Sequence, residues 1–375
     1  MCPLNTTVLF PRNTGKRLPV KNIFLSLLLV LFTFFPLFHG RAAQEAQVAH
    51  ELHWVVTREK FELALERFRA DGATPQGTPI VLSHGLLTDS SFFNLDEANS
   101  LARYLAQEGF DVWNLSFRGT GRSLAPLKDP PKSWNLDVYV EQDIPQVIEY
   151  VVKATKSAKL GWIGFELGGV LAYGYLEQKP DPRVAALVTI AAPVTFHEPQ
   201  QDAMKGLLGL KDRPTLKRFV LYLNGPSLMR FLVPLVPSLE SLFYNPDNMD
   251  DDVKQKFFDD ALADVNPGVL DHLLLILERG EVVSARGDFR YHEQLGKIRI
   301  PVLAIGGKED AIAPPRALEH SFMRLGSADR TLKIFGTESK KATPYGHFDL
   351  VLGQDAKTEI FPVIGQWLKQ RLTGR

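Results

Sequence analysis

The sequence predicts an α/β fold: a mostly parallel central sheet with helices on both faces and a mainly helical insertion. Three observations predict it. Short runs of continuous apolar residues, the pattern of strands buried on both faces, alternate with amphipathic segments of helical period. A strand-like run passes straight into a helical one through a glycine-bracketed turn, "GFELGG" (164 to 169). The alternation then breaks after Pro193 and resumes near Ile300, as it does when a helical segment is inserted between two neighbouring strands. Repeated strand and helix alternation builds a parallel sheet and places ligands at the carboxyl ends of its strands.

The elements follow in order. "HWVVT" (53 to 57) and "FELALERF" (61 to 68) alternate as antiparallel edge strands do, whereas "PIVLSHG" (79 to 85) is a continuous apolar run ending in a glycine turn. A helix fits "NSLARYLAQEG" (99 to 109) with Gly109 as its stop, and "FDVWNLSFRG" (110 to 119) is the next buried strand. "LDVYVEQDIPQVIEYVVKAT" (136 to 155) is amphipathic at helical period, with Pro145 marking a start or a kink. "LGWIGFE" (160 to 166) and "VAALVTIAAP" (184 to 193) are further buried strands with a helix between them. The insertion, about 194 to 295, has apolar runs at "FVLYL" (219 to 223), "LMRFLVPLVPSL" (228 to 239) and "HLLLILERG" (272 to 280), and is expected to cover the carboxyl edge of the sheet as a cap. "IPVLAIGGKED" (300 to 310) and "RTLKIFG" (330 to 336) restore the strand rhythm, and "TEIFPVIGQWLKQRL" (358 to 372) closes the chain as an amphipathic helix.

Composition sets the outer bounds. With 45% apolar and 23% charged residues over 375 positions, the chain can bury a substantial core, and one domain carrying an insertion is the simplest organisation. The first forty-odd residues stand apart: Arg12, Lys16, Arg17 and Lys21 precede an apolar run from Ile23 to Phe38, which is followed by Gly40, Ala42 and Ala43. That order reads as a secretory signal cleaved after Ala42, with Ala43 nearly as suitable, and predicts an exported protein, periplasmic or secreted. The alternative is an uncleaved anchor through residues 22 to 38, and only then is membrane contact expected.

Residues 1 to 42 hold five of the 43 basic residues and no acidic one, so the mature domain, 43 to 375, would carry 38 basic against 43 acidic residues. A mildly acidic surface of this kind does not suit a nucleic acid. The single cysteine, Cys2, precedes the apolar run, so disulfides, thiol catalysis and cysteine metal sites are excluded in the mature chain. No metal-ligand spacing, phosphate loop or dinucleotide fingerprint occurs, and no cofactor is expected.

Four stretches at the predicted carboxyl ends of strands carry chemistry. In "GFELGG", Gly164 and Gly168 bracket residue 166 so that a strained backbone turns sharply and the following helix packs closely, which is what a nucleophile elbow requires. The residue at its apex is Glu166. His347, in "YGHFDLVLGQDAKTEIFPVIGQWL" (345 to 368), follows the last strand and can take or return protons near neutral pH. Asp310, in "GGKEDAIAPP", lies just beyond a strand end, where a buried carboxylate can fix the imidazole tautomer; its neighbour Glu309 should point elsewhere. In "SHGLLTDSS" (83 to 91), the Leu86 N–H together with that of Leu167 can bind a developing negative oxygen, and His84 should bond the loop backbone.

The chain order of elbow, acid and histidine is that of an α/β-hydrolase triad. "VLSHGLLTDSSFF", "LAQEGFDVWNLSFRGTGRS", "DIPQVIEYV" and "GHFDLVLGQDAKTEIFPVI" resemble the acid lipase family of α/β-hydrolases and, more distantly, the polyhydroxyalkanoate synthases. The resemblance runs from about Val55 to the end, weakly in the insertion. It implies an α/β-hydrolase fold, a cap over the pocket, Leu86 and Leu167 as oxyanion donors, and Asp310 with His347 in the triad. The family pattern has serine where this chain has Glu166.

That substitution changes the chemistry open to the site. A carboxylate attacking an ester would have to form a reactive anhydride while expelling a more basic alkoxide, so ordinary lipase chemistry is not expected. Toward an sp3 carbon with a good leaving group a carboxylate works well, and the resulting alkyl ester is then open to water activated by His347. Haloalkane dehalogenases and epoxide hydrolases, which share the superfamily, use aspartate in this way. This chain lacks their companions, having Leu167 after the elbow and no proline after Gly85, although cap tyrosines such as Tyr222, Tyr244 and Tyr291 are candidate acids. Two other roles stay open: general base toward water or an acidic carbon, and an inactive binding protein with Glu166 and His347 locked in an ion pair. In each case the apolar insertion suits a hydrophobic small molecule or acyl chain.

Overall fold

Eight strands form one sheet among the described residues, in the order β1 (Val48–Val56), β2 (Glu62–Ala70), β4 (Val112–Leu115), β3 (Ile80–Ser83), β5 (Leu160–Phe165), β6 (Val184–Ile190), β7 (Val302–Gly307) and β8 (Arg330–Phe335). The structure is a computed structural model and describes residues 47–72, 77–123, 133–195, 237–336 and 344–372. β1 pairs with β2 and β2 with β4 in antiparallel register, and every other neighbouring pair is parallel. β2 is therefore not an edge strand, as its alternating pattern suggests. Leu65 to Phe68 take partners on β4, and the run Leu63 to Leu65 is buried.

The central strands explain the continuous apolar runs. On β3, Ile80 and Leu82 enter a core with Phe68, Ile163, Ile305 and Leu368, whereas Val81 enters a second core with Trp113, Trp162, Val147 and Tyr173. Successive side chains of one strand thus feed opposite faces, and both must be apolar. The first face is covered by α1 (Leu101–Gln107) and the closing helix Phe361–Leu372, and the second by α2 (Ile144–Thr155) and α3 (Leu167–Gln178). α1 is capped by Ser100, whose hydroxyl accepts from the Arg103 N–H at 2.9 Å.

Pro145 sits in the first turn of α2, preceded by a helical turn at Leu136–Val138 and a π-turn at Tyr139–Asp143. A proline has no N–H to donate and its ring crowds the carbonyl four residues back. The wider π-turn takes up that conflict without breaking the helical path.

Between β6 and β7 the described residues hold α4 (Pro237–Phe243), α5 (Asp251–Lys256) and α6 (Pro267–Arg279). Two of the expected apolar runs, 219 to 223 and most of 228 to 239, lie outside the described residues, as do the whole signal or anchor segment and Tyr222. After β7 come α7 (Pro315–Arg324) and α8 (Phe361–Leu372), which ends the described chain. No helix among the described residues is long and apolar enough to cross a membrane.

One buried group runs against the rest of the core. Glu177, near the end of α3, is fully buried, and among the described residues neither carboxylate oxygen has a hydrogen-bond partner. Burial pushes its carboxyl up to about 9, so it is protonated in the fold at neutral pH and ionised once unfolded. The stability this allows is complete below the ordinary carboxylate pKa and is lost as pH rises toward 9. Glu177→Gln should raise Tm by several degrees at pH 8, change it little at pH 4, and flatten the fall of Tm between them. A slope unchanged by the substitution would show that Glu177 is solvated.

Candidate active site

β5 ends at Phe165 and α3 begins at Leu167, leaving Glu166 alone in the turn at φ 45° and ψ −111°. The Glu166 N–H donates to the Ile190 carbonyl at 2.8 Å, and its own carbonyl accepts from the Gly169 and Val170 N–H groups at 3.1 and 3.0 Å. The residue is thus tied to the sheet on one side and opens the helix on the other. Such a backbone conformation costs about 1–3 kcal/mol for a residue with a side chain and persists only where its surroundings enforce it. The glycines allow that enforcement, because a Cβ on Gly164 would lie 2.4 Å from the Gly169 nitrogen, and one on Gly168 2.3 Å from the Ser83 carbonyl oxygen.

The Glu166 side chain turns toward the loop after β3. Its Oε2 accepts from the Leu86 N–H at 2.6 Å, a short bond of the charge-assisted kind. Gly85 makes room for it, since a Cβ there would meet Oε2 at 2.9 Å. The Leu167 N–H, at the first residue of α3, has no acceptor within its own helix. Of the two N–H groups expected to hold an oxyanion, that of Leu86 is therefore bonded by the chain's own carboxylate. The loop itself is pinned by the insertion, with the Ala263 N–H donating to the Leu87 carbonyl at 2.8 Å and the Asp89 N–H to the Ala261 carbonyl at 3.1 Å. A cleft beside this point is bordered by Leu86, Leu167, Phe117, Tyr139, Val265 and Val269.

Asp310 and His347 meet on the other side. Asp310 is buried just beyond β7, its Oδ1 accepting from the Ile312 and Ala313 N–H groups at 2.9 and 2.7 Å. Its Oδ2 accepts from His347 Nδ1 at 2.8 Å, which fixes the tautomer and leaves Nε2 as the free base. Glu309 is exposed. The acid and histidine loops lie close because position 307 is glycine: a Cβ there would be 2.4 Å from the Tyr345 carbonyl oxygen. The imidazole packs between Phe165 and Phe348, with centroid separations of 4.9 and 5.2 Å.

Burial alone would lower the pKa of His347, but the charge and hydrogen bond of Asp310 and the charges of Glu166 and Asp349 outweigh it, and the net direction is upward. Glu166 is therefore near enough to be felt. Among the described residues, its carboxylate nevertheless makes neither a hydrogen bond nor an ion pair with His347. The two groups are coupled through space and not locked together.

His84 bonds the loop backbone. Its Nδ1 faces the Gly85 carbonyl at 2.8 Å and its Nε2 accepts from the Phe117 N–H at 3.0 Å, while burial pushes its pKa down to about 4 and keeps it neutral. Two tyrosines expected as possible acids are engaged elsewhere. Tyr244 donates to Glu240 at 2.8 Å, and Tyr291 lies against Gly174 with its hydroxyl toward Gln178. Among the described residues no three His, Cys, Asp or Glu side chains gather as metal ligands do.

The sheet architecture agrees with comparisons to known proteins. A family described as the alpha/beta hydrolase fold matches residues 78–322. The chain belongs to that family. A probable lipase of Schizosaccharomyces pombe is 26% identical over 87% of this chain and 78% of its own, and human lipase member K is 24% identical over 83% and 86%. Triacylglycerol lipase 1 of Arabidopsis thaliana is 24% identical over 85% of this chain and 87% of its own. Among solved structures, a thermophilic esterase from Thermogutta terrifontis superposes with a TM-score of 0.57 at 18% identity, over 85% of this chain and 98% of that one, a likeness of fold.

Four residues escape a reading of the sequence as contributors: Gly85, which admits the carboxylate; Ala261 and Ala263, which hold the loop after β3; and Asp349, which bonds within the histidine loop. Gly85 and Asp349 had visible signals, a glycine turn after a buried strand and a place two residues after His347. Because Asp310 helps to hold the His347 pKa up, Asp310→Asn should move the imidazole titration to lower pH. Nuclear magnetic resonance of ring-labelled protein reads this directly, and an unmoved titration would contradict the pairing.

Proposed function

We propose that this protein is a hydrolase of apolar, lipid-like molecules in which Glu166 acts as a carboxylate nucleophile toward sp3 carbon. The observation that carries this reading is the hydrogen bond from the Leu86 N–H to Glu166 Oε2. It holds one carboxylate oxygen where an oxyanion belongs and leaves Oε1 to react. A substrate carbonyl could not take that place without displacing it, which weighs against serine-type ester chemistry.

The steps follow from the geometry. Oε1 attacks the carbon, and the bond to the leaving group breaks with its electrons going to that group, leaving an alkyl ester on Glu166. His347 Nε2 then takes a proton from water, with Asp310 stabilising the imidazolium. The hydroxide adds to the Glu166 carboxyl carbon. Its negative oxygen is the former Oε2, already facing the Leu86 N–H and flanked by that of Leu167. Collapse expels the alcohol oxygen, which receives the proton from His347, and Glu166 is restored. Substrate and water thus become alcohol, leaving group and a proton.

The lipase relatives support an acyl-like or otherwise hydrophobic substrate, and the cleft sets Leu86, Phe117, Leu167 and Val265 beside the polar His84, Thr120, Asp264 and Asn266. We also propose that the protein is exported, on the order of basic, apolar and small residues in positions 1 to 42. N-terminal sequencing of the purified protein should begin near Ala43; an intact start with the apolar run present indicates an anchor.

The activity test is a screen of long-chain epoxides, alkyl halides, lactones and esters against the parent, Glu166→Gln and His347→Ala. Turnover of an epoxide or halide by the parent, reduced about 10⁴-fold or more in Glu166→Gln, is expected. If the parent turns over none of these and Glu166→Ser gains ester hydrolysis, the chain is a binding protein on a hydrolase frame, with Glu166 blocking an otherwise intact site.

A further inference from the structure

Asp349 is a second carboxylate at the histidine loop, and the mechanism above makes no use of it. It is fully buried in the first turn of the short helix Asp349–Leu352, two residues beyond His347. Its Oδ2 accepts from the Gly346 N–H at 2.9 Å and from the side-chain amide of Asn248 at 2.9 Å, while Oδ1 faces the Asn245 N–H at 3.4 Å. Asn245 and Asn248 belong to the insertion. The same two segments are stitched by three further bonds: Asn245 Nδ2 to the Pro344 carbonyl at 2.7 Å, the Phe348 N–H to the Phe243 carbonyl at 2.8 Å, and the Gln354 N–H to the Asn248 carbonyl at 2.9 Å. His347 thus stands in a loop whose neighbours on both sides are held by the insertion.

The contact has no slack. A Cβ on Gly346 would lie 2.8 Å from the Asn245 nitrogen and 2.9 Å from Asp349 Oδ1. Burying a carboxylate here is costly: burial pushes the Asp349 pKa up, although the bonds from Asn248, Gly346 and Asn245 pull it back. A turn alone does not need an ionisable residue at that position.

We propose that Asp349 is a positioning residue for His347, clamping the segment Phe243–Asn248 of the insertion to the loop Pro344–Phe348 so that the insertion sets where the imidazole stands relative to the elbow. The proposal rests on the reading of His347 as the base of the reaction. The charges of three carboxylates then bear on the imidazole: Asp310 from beyond β7, Glu166 from the elbow and Asp349 from its own loop.

The test uses Asp349→Asn, Asp349→Ala and Asn248→Ala in the full chain. Ring-labelled His347 is followed by nuclear magnetic resonance, together with the exchange rate of its Nδ1 proton, and kcat and KM are measured wherever the parent shows turnover. Asp349→Asn should titrate His347 at lower pH, since a negative charge is lost. Asn248→Ala should speed exchange of the Nδ1 proton, since the loop is loosened. Both should lower kcat by about 10- to 100-fold with little change in KM, the scale on which small misplacements act, and Asp349→Ala should lose more than Asp349→Asn. If Asp349→Ala fails to fold, the other two variants carry the test. Unaltered titration and exchange in both, with only Tm reduced, would make Asp349 a structural brace and overturn the proposal. A parent without turnover would refute the proposed reaction, yet the resonance measurements on His347 would still decide the role of Asp349.

Discussion

The site is organised by one hydrogen bond, from the Leu86 N–H to the Glu166 carboxylate. It requires a backbone strained at residue 166, glycines at 164 and 168 that let strand, helix and loop approach, and a glycine at 85 that leaves room for the oxygen. In the reaction proposed for Glu166, the same bond anchors one carboxylate oxygen while the other attacks, and polarises the resulting ester when water cleaves it.

The strain at the elbow is enforced from several directions. Of the five non-glycine residues with positive φ among the described residues, Leu87, Glu166 and Ala191 stand at the carboxyl ends of adjacent strands β3, β5 and β6. The other two, Lys60 and Lys156, lie in the β1–β2 turn and at the end of α2, so three of the five gather at that rim, where strain is expected if a rigid frame holds reacting groups in place. The insertion completes the frame by bonding the oxyanion loop through Ala261 and Ala263 and the histidine loop through Phe243, Asn245 and Asn248. It therefore braces both loops.

Much of this was legible in the sequence because it depends on local pattern. The strands buried on both faces declared themselves as apolar runs, and the glycine-bracketed turn marked the elbow. Asp310 could be placed from its position just past a strand end, and His347 from its position between the last strand and the final helix. What stayed hidden depends on long-range placement. The alternation of β2 matches that of an edge strand, and only its pairing with β4 shows otherwise. Tyr244 and Tyr291 looked available as acids until Glu240 and Gln178 were found beside their hydroxyls. The grip of the insertion joins residues about a hundred or more positions apart on both loops, and no periodicity announces it.

The central claim is that Glu166 itself forms the covalent bond, and single turnover in heavy-oxygen water tests it most directly. With enzyme in excess over a substrate that is turned over, the account predicts that the heavy atom appears in the peptide containing Glu166, because water attacks the carboxyl carbon and the product carries away the original carboxylate oxygen. Label found only in the alcohol product, with the Glu166 peptide unlabelled, would contradict it and assign the carboxylate the role of general base.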